Sequence, residues 1–140
     1  MKTLAFLSCL SLLMLVAAPA QVIAKNTKPV VVTRLAPVNG TDVKGVVILR
    51  QLKGGGTDIR VIARHLDPGT QYVSLYYDTP DCSEPDPDDV IGGPYTANRG
   101  GIGLTQGESD DDLDEIDSVS VRLAKDFLTP AALQACAKVG

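Results

Sequence analysis

The sequence predicts an all-β fold, an antiparallel β-sandwich or barrel, and three observations carry that expectation. Some six short segments rich in β-branched and aromatic residues recur at intervals of roughly 8 to 12 residues. Turn-forming residues separate them. The third observation is the unit from His65 to Cys82, in which Asp67-Pro68-Gly69-Thr70 supplies a turn, Tyr72 to Tyr77 alternates as a strand, and a cysteine follows.

Taken in order, residues 21–27 read as a disordered lead and 28–140 as a single β-sandwich domain. Lys28 to Leu35 is a first strand around Val30-Val31-Val32-Thr33, ended by Ala36-Pro37. Asn39-Gly40 accepts the positive φ that a type I′ hairpin turn demands. Val43 to Leu52 is a second strand, long enough for Gly45 to mark a bulge, and Gly54-Gly55-Gly56 is the next reversal. In a third strand, Ile59 to His65, Ile59, Val61 and Ala63 share one face and Arg60, Ile62 and Arg64 the other. On Tyr72 to Tyr77 the face with Val73, Leu75 and Tyr77 is expected in the core. Asp78 to Tyr95 is a proline-broken loop that Cys82 pins at its start. A short strand follows over Gly101 to Thr105, then an acidic reversal over Glu108 to Asp117, then an alternating strand over Ser118 to Ala124. Thr129-Pro130 and the alanine-rich run after it predict a short C-terminal helix; tertiary pairing would instead draw Leu133 to Val139 into a last strand.

The N-terminus predicts export. Lys2 is followed by the apolar run Leu4 to Val16 and by Ala18-Pro19-Ala20, so 1–20 reads as a signal peptide with the mature chain starting at Gln21, or at Lys25 after Ala24. Cys9 is discarded with it, and no stable membrane span remains. The expected location is secreted or periplasmic. The formal net charge of −4 argues against nucleic acid as a partner. Charge is also segregated: Lys25 to Arg64 is mainly basic, and Asp78 to Asp117 holds thirteen acidic residues against Arg99 alone. These sets either face one another or make the surface bipolar. Two cysteines remain after cleavage, Cys82 and Cys136, and an even count in an exported chain argues for one disulfide.

The run Gly45 to Cys82, with its Gly-rich turn, Leu66-x-x-Gly69 and alternating strand, resembles the first half of the copper–zinc superoxide dismutase family and its CHRD-type relatives. The ending Ala135-Cys136-Ala137-x-Val139-Gly140 is similar to that family's final strand, and Tyr95 to Gly101 to the segment leaving its metal loop. The resemblance implies the family's antiparallel Greek-key β-sandwich or barrel and a bridge between Cys82 and Cys136. It also implies where metal ligands would stand: matching from Leu66 and Gly69 places Ser74 and Tyr76 at the family's His-x-His pair, Arg122 at a later copper histidine, and Leu133 at its guiding arginine. No histidine lies in Ser83 to Asn98, where the family's zinc loop is histidine-rich. Copper and zinc are therefore not expected.

His65, the single histidine, cannot build a multi-imidazole site and reads as a solvated strand-end residue. Asp110, Asp112 and Asp114 have the oxygen-rich composition calcium prefers, with a second acidic group at Glu84 to Asp89, but Glu115 and Val121 stand where a calcium loop needs glycine and a bidentate glutamate. Tyr72, Ser74 and Tyr76 form a candidate binding surface whose alternative is ordinary strand packing. Asn39-Gly40-Thr41 is a glycosylation sequon. No hydrolytic triad or phosphate-cradling loop is present. The sequence favours a metal-free, dismutase-like binding or structural module acting on an unidentified protein or surface ligand. The alternatives are an enzyme with an atypical metal site and an acidic calcium-dependent module.

Overall fold

Eight strands form where β-branched and aromatic residues alternate with polar ones: β1 Val30–Pro37, β2 Lys44–Gln51, β3 Thr57–Arg64, β4 Gln71–Tyr77, β5 Tyr95–Thr96, β6 Gly103–Ser109, β7 Ser118–Leu123 and β8 Leu133–Lys138. The computed structural model describes residues 29–140; the signal segment 1–20 and the lead 21–27 expected from sequence lie outside them. All pairings are antiparallel, in the order β5-β4-β7-β8-β1-β2-β3-β6. The sheet nearly closes into a barrel. Its closed seam is β1, whose Val30 to Leu35 pair with β2 while Ala36 and Pro37 pair with β8. At the opposite seam β5 pairs with β4 and β6 with β3, so no ladder joins β5 to β6 to complete a Greek-key barrel.

The core fills the space between the two halves. Val47, Leu49, Ile59 and Val61 from one side meet Val119, Val121, Ala135 and Ala137 from the other, all fully buried. Each large aliphatic side chain so buried contributes about 1.5 to 3 kcal/mol, which makes this layer the main source of stability. A second cluster lies outside the barrel wall. Val73, Leu75, Tyr77 and Cys82 pack there with Val90, Phe127 and Leu133, roofed by the loops after β4 and β7.

Several local expectations meet the structure closely. Thr70 N–H bonds Asp67 O at 3.1 Å, and Gly69 has φ +80°, as a turn with proline second and glycine third requires. Asn39 and Gly40 have φ of 54° and 73° and sit inside the turn closed by Thr41 N–H to Val38 O. That turn is not a tight β1–β2 hairpin, because β1 leaves β2 after Leu35 and crosses to β8 first. Gly45 does not mark a bulge: it pairs in unbroken register with Ala63, and a Cβ there would lie 2.0 Å from the Ile62 carbonyl oxygen. Its glycine serves close strand approach.

The chain end corrects the short helix. Pro130–Ala132 makes one 3₁₀ turn, and Leu133–Lys138 is strand β8. Local helix propensity loses because Cys136 is paired to Ser120 on β7 and Ala36 on β1, filling the gap that closes the sheet. β6 is longer than Gly101 to Thr105, and Tyr95–Thr96, expected to end a loop, forms a strand. Among the described residues no helix is long and apolar enough to cross a membrane.

Candidate functional site

The Cys82–Cys136 disulfide is present and ties the start of the 78–94 loop to β8. Beneath that loop the outer face of β4 and β7 carries Val73 opposite Arg122, Leu75 opposite Ser120 and Tyr77 opposite Ser118. Arg122 is only 2% exposed. Its Nε donates to the Tyr77 hydroxyl at 2.8 Å, one terminal nitrogen to the Phe127 and Thr129 carbonyls at 3.0 and 2.9 Å, and the other to the Cys82 carbonyl at 2.9 Å. The guanidinium also lies 5.9 Å from the centre of the Tyr77 ring, and Tyr77 continues the network to the Ser120 hydroxyl at 2.7 Å. The planar fork serves four acceptors at once, one more than an ammonium has N–H groups to donate. Arg122 thereby fastens both covering loops to the barrel.

Strand parity separates the three residues matched to the dismutase ligands. Ser74 stands opposite Val121 and Tyr76 opposite Val119, so both belong to the interior face, while Arg122 belongs to the exterior one. Ligands to one metal must share a face, and these do not. The residues of β4 that do share Arg122's face are Val73, Leu75 and Tyr77, which include no imidazole. The residues present do not fit a copper or zinc centre of that family. Leu133 is half-buried at the start of β8, against the second cluster.

The candidate tyrosine strip is likewise turned inward. Ser74 is fully buried and Tyr72 is 1% exposed, so neither forms an exposed surface, and Tyr76 is half-buried. Tyr72 accepts the Asp67 backbone N–H at 2.9 Å and stacks on Tyr95 with ring centres 6.3 Å apart. The Tyr95 hydroxyl meets Ser74 Oγ at 2.8 Å, and burial pushes its pKa up to about 12. Tyr95 also lies against Gly103, where a Cβ would be 2.6 Å from its ring. This aromatic plug fills the seam that β5 and β6 leave without a ladder. Both faces of β4 are covered, one by the barrel and one by the disulfide-pinned loop.

The two acidic loops do meet, around Tyr76. Its pKa is raised chiefly by burial, and Ser109, Asp89 and Asp111 lie close by. Asp89 is pushed up by burial and by Asp86, Asp111 and Asp88; Asp111 by burial and by Glu115, Asp110, Asp78 and Asp112. Asp112 behaves oppositely. One of its oxygens accepts the Gly56 N–H at 2.8 Å and Gln51 Nε2 at 2.7 Å, which pulls its pKa down. Glu115 caps the same turn through the Asp112 N–H at 2.9 Å. Asp112 therefore organises the 110–117 loop, and among the described residues no three His, Cys, Asp or Glu side chains converge as Asp110, Asp112 and Asp114 would have to around calcium.

Burial and repulsion at this cluster give a signed expectation. An aspartate with a raised folded-state pKa supports folding fully below the ordinary carboxylate range and loses that support as pH rises through its raised value. Asp111→Asn should therefore raise the urea midpoint at pH 7, with the gain fading below about pH 4. Asp112→Asn should lower the midpoint at pH 7, because its depressed pKa supports folding above that range. Equal effects at both pH values would show that charge at these positions does not govern stability.

His65 is exposed at the end of β3, with Nδ1 3.2 Å from Asp42. Asn39, of the sequon, donates its amide to the Pro130 and Leu133 carbonyls, both at 3.0 Å, and so ties the β1–β2 turn to the start of β8. No signal in the sequence marked Arg122 as an anchor. A lone basic residue inside an apolar alternating strand is the nearest thing to one. No family model, curated protein or solved structure matches this chain.

Proposed function

We propose that this chain is an exported, superoxide dismutase-like module without the family's metals, with a binding or structural role and no catalysis of its own. The observation that carries the reading is the Arg122 network. Where the resemblance would put a copper histidine, a buried cation donates to Tyr77 and to three loop carbonyls, and a second cation at that place would be repelled. The same residue converts the covering loops from a metal enclosure into a fixed cap. The disulfide fits an oxidising compartment, which supports secretion or a periplasmic location.

The test is metal loading. Protein incubated with Cu²⁺ and Zn²⁺ and then desalted should retain far less than one copper per chain and should leave superoxide decay unchanged. Stoichiometric copper with cyanide-sensitive activity would overturn the reading in favour of an enzyme with an atypical site. A calcium-dependent role is favoured by one feature, the carboxylates of Asp86, Asp111 and Asp88 near Asp89, whose pKa is pushed up by burial and by those charges. Asp112, however, already spends its oxygen on Gly56 and Gln51.

A further inference from the structure

The charge segregated along the sequence is also segregated in space. Among the described residues the only ion pairs are Lys44–Asp42 and His65–Asp42, so no acid of the 78–117 region is paired with a described basic side chain. Five basic residues stand instead on the outer face of β1-β2-β3-β6. Register places Val32 opposite Ile48, and Val46 opposite Ile62, which faces Leu104. Val32 and Leu104 are 64% and 63% exposed, among the most exposed large apolar side chains described. Exposed cations border this aliphatic band on both flanks, Arg34, Lys44 and Arg64 on one and Arg50 and Arg60 on the other, and outnumber the two acids of the same face, Asp58 opposite Arg50 and Glu108 opposite Asp58.

We propose that this face docks the acidic end of a second copy of the chain, head to tail. The acidic end has matching chemistry. Leu113, Ile116 and Val139 line a groove there, with Asp114 and Asp117 among its lining. A two-fold contact through the basic face would set a patch of net positive charge against its own copy. The head-to-tail contact sets it against carboxylates. The formal net charge of −4 opposes association between uniform charges, and segregation alone lets one end attract the other face. Arginine predominates over lysine and no aromatic side chain lies on the face, which fits a protein partner better than a lipid surface. Four strands about 4.8 Å apart and about 26 Å long give several hundred Å², of the order of the roughly 800 Å² each partner contributes to a standard interface. Such a contact does not close on itself in a pair and leads to short open oligomers or a ring.

Sedimentation velocity on the mature chain, from about 1 μM to 1 mM, tests it. At low salt the weight-average coefficient should rise with concentration, and at about 0.5 M salt it should return toward monomer. Arg64→Glu, on the basic face, and Asp114→Lys, on the acidic end, are both at exposed positions and should each weaken association about tenfold. An equimolar mixture of the two variants should recover association, because the reversed face of one complements the reversed end of the other. A monomer throughout would overturn the proposal. So would association indifferent to Asp114→Lys, a mixture with no recovery, or binding only to anionic vesicles or a sulfated polysaccharide without self-association.

Discussion

Arg122→Ala should lower the free energy of unfolding by about 3 to 5 kcal/mol, the largest effect expected of any single substitution in this chain. The side chain is 2% exposed and donates to four acceptors, so removing it leaves a cavity and strips donors from the Tyr77 hydroxyl and from the carbonyls of Cys82, Phe127 and Thr129. A buried charge is not stabilising by default, because desolvation can exceed what its partners return. Here the partners decide the sign. Three are backbone carbonyls of covering loops, and truncation leaves each to find water beneath a roof that Arg122 itself holds down. Arg122→Lys should recover only part of the loss, since one ammonium cannot span Cys82 on one loop and Thr129 on the other. Urea denaturation measures both variants, and limited proteolysis within 78–94 and 124–130 reports the loosened roof. A loss under about 1 kcal/mol for Arg122→Ala would remove the network as a structural element, and with it the support for a metal-free cap.

Alternation made most of the barrel legible, because a strand half exposed to water writes its orientation into every second residue. β3 is the clear case: Ile59, Val61 and Ala63 are buried while Arg60 and Arg64 are exposed, as their chemistry predicts. β4, whose Val73, Leu75 and Tyr77 are buried as expected but in the outer cluster, is less legible for the complementary reason. With the barrel on one side and a pinned loop on the other, Tyr72 to Leu75 are all buried, and polarity no longer reports direction. An inward Tyr72 finds the Asp67 N–H and an inward Ser74 finds Tyr95, so hydroxyls that resembled a surface strip are satisfied inside. Matching the strand by its residues alone put Ser74 and Tyr76 beside Arg122, although one position of parity sets them on opposite faces. The chain end failed differently: alanine propensity is local, whereas the sheet vacancy that β8 fills is made by β1 and β7. The neighbourhood of Asp89 and Asp111 required contact between segments 22 positions apart, which charge counting along the chain cannot supply.

Replacing both cysteines by serine should lower stability by about 2 to 5 kcal/mol, through the unfolded chain and the native roof together. The bridge spans 54 positions, and closing a loop of that length removes conformational freedom worth about 4 kcal/mol from the unfolded ensemble. In the folded state Cys82 is fully buried within the outer cluster, and its N–H donates to Ser118 Oγ at 3.1 Å while its carbonyl accepts from Arg122. The disulfide and Arg122 therefore hold the same stretch of loop. Losses from two independent sites add, but here one restraint survives each single change and limits how far the loop departs. Combining Cys82→Ser and Cys136→Ser with Arg122→Ala should consequently depart from additivity by at least about 0.5 kcal/mol. The full series is measured by urea denaturation at one pH, with the Arg122→Ala protein also examined under reducing conditions. Strict additivity would mean that the bridge acts on the unfolded chain alone and that the loop over β4 and β7 is held elsewhere.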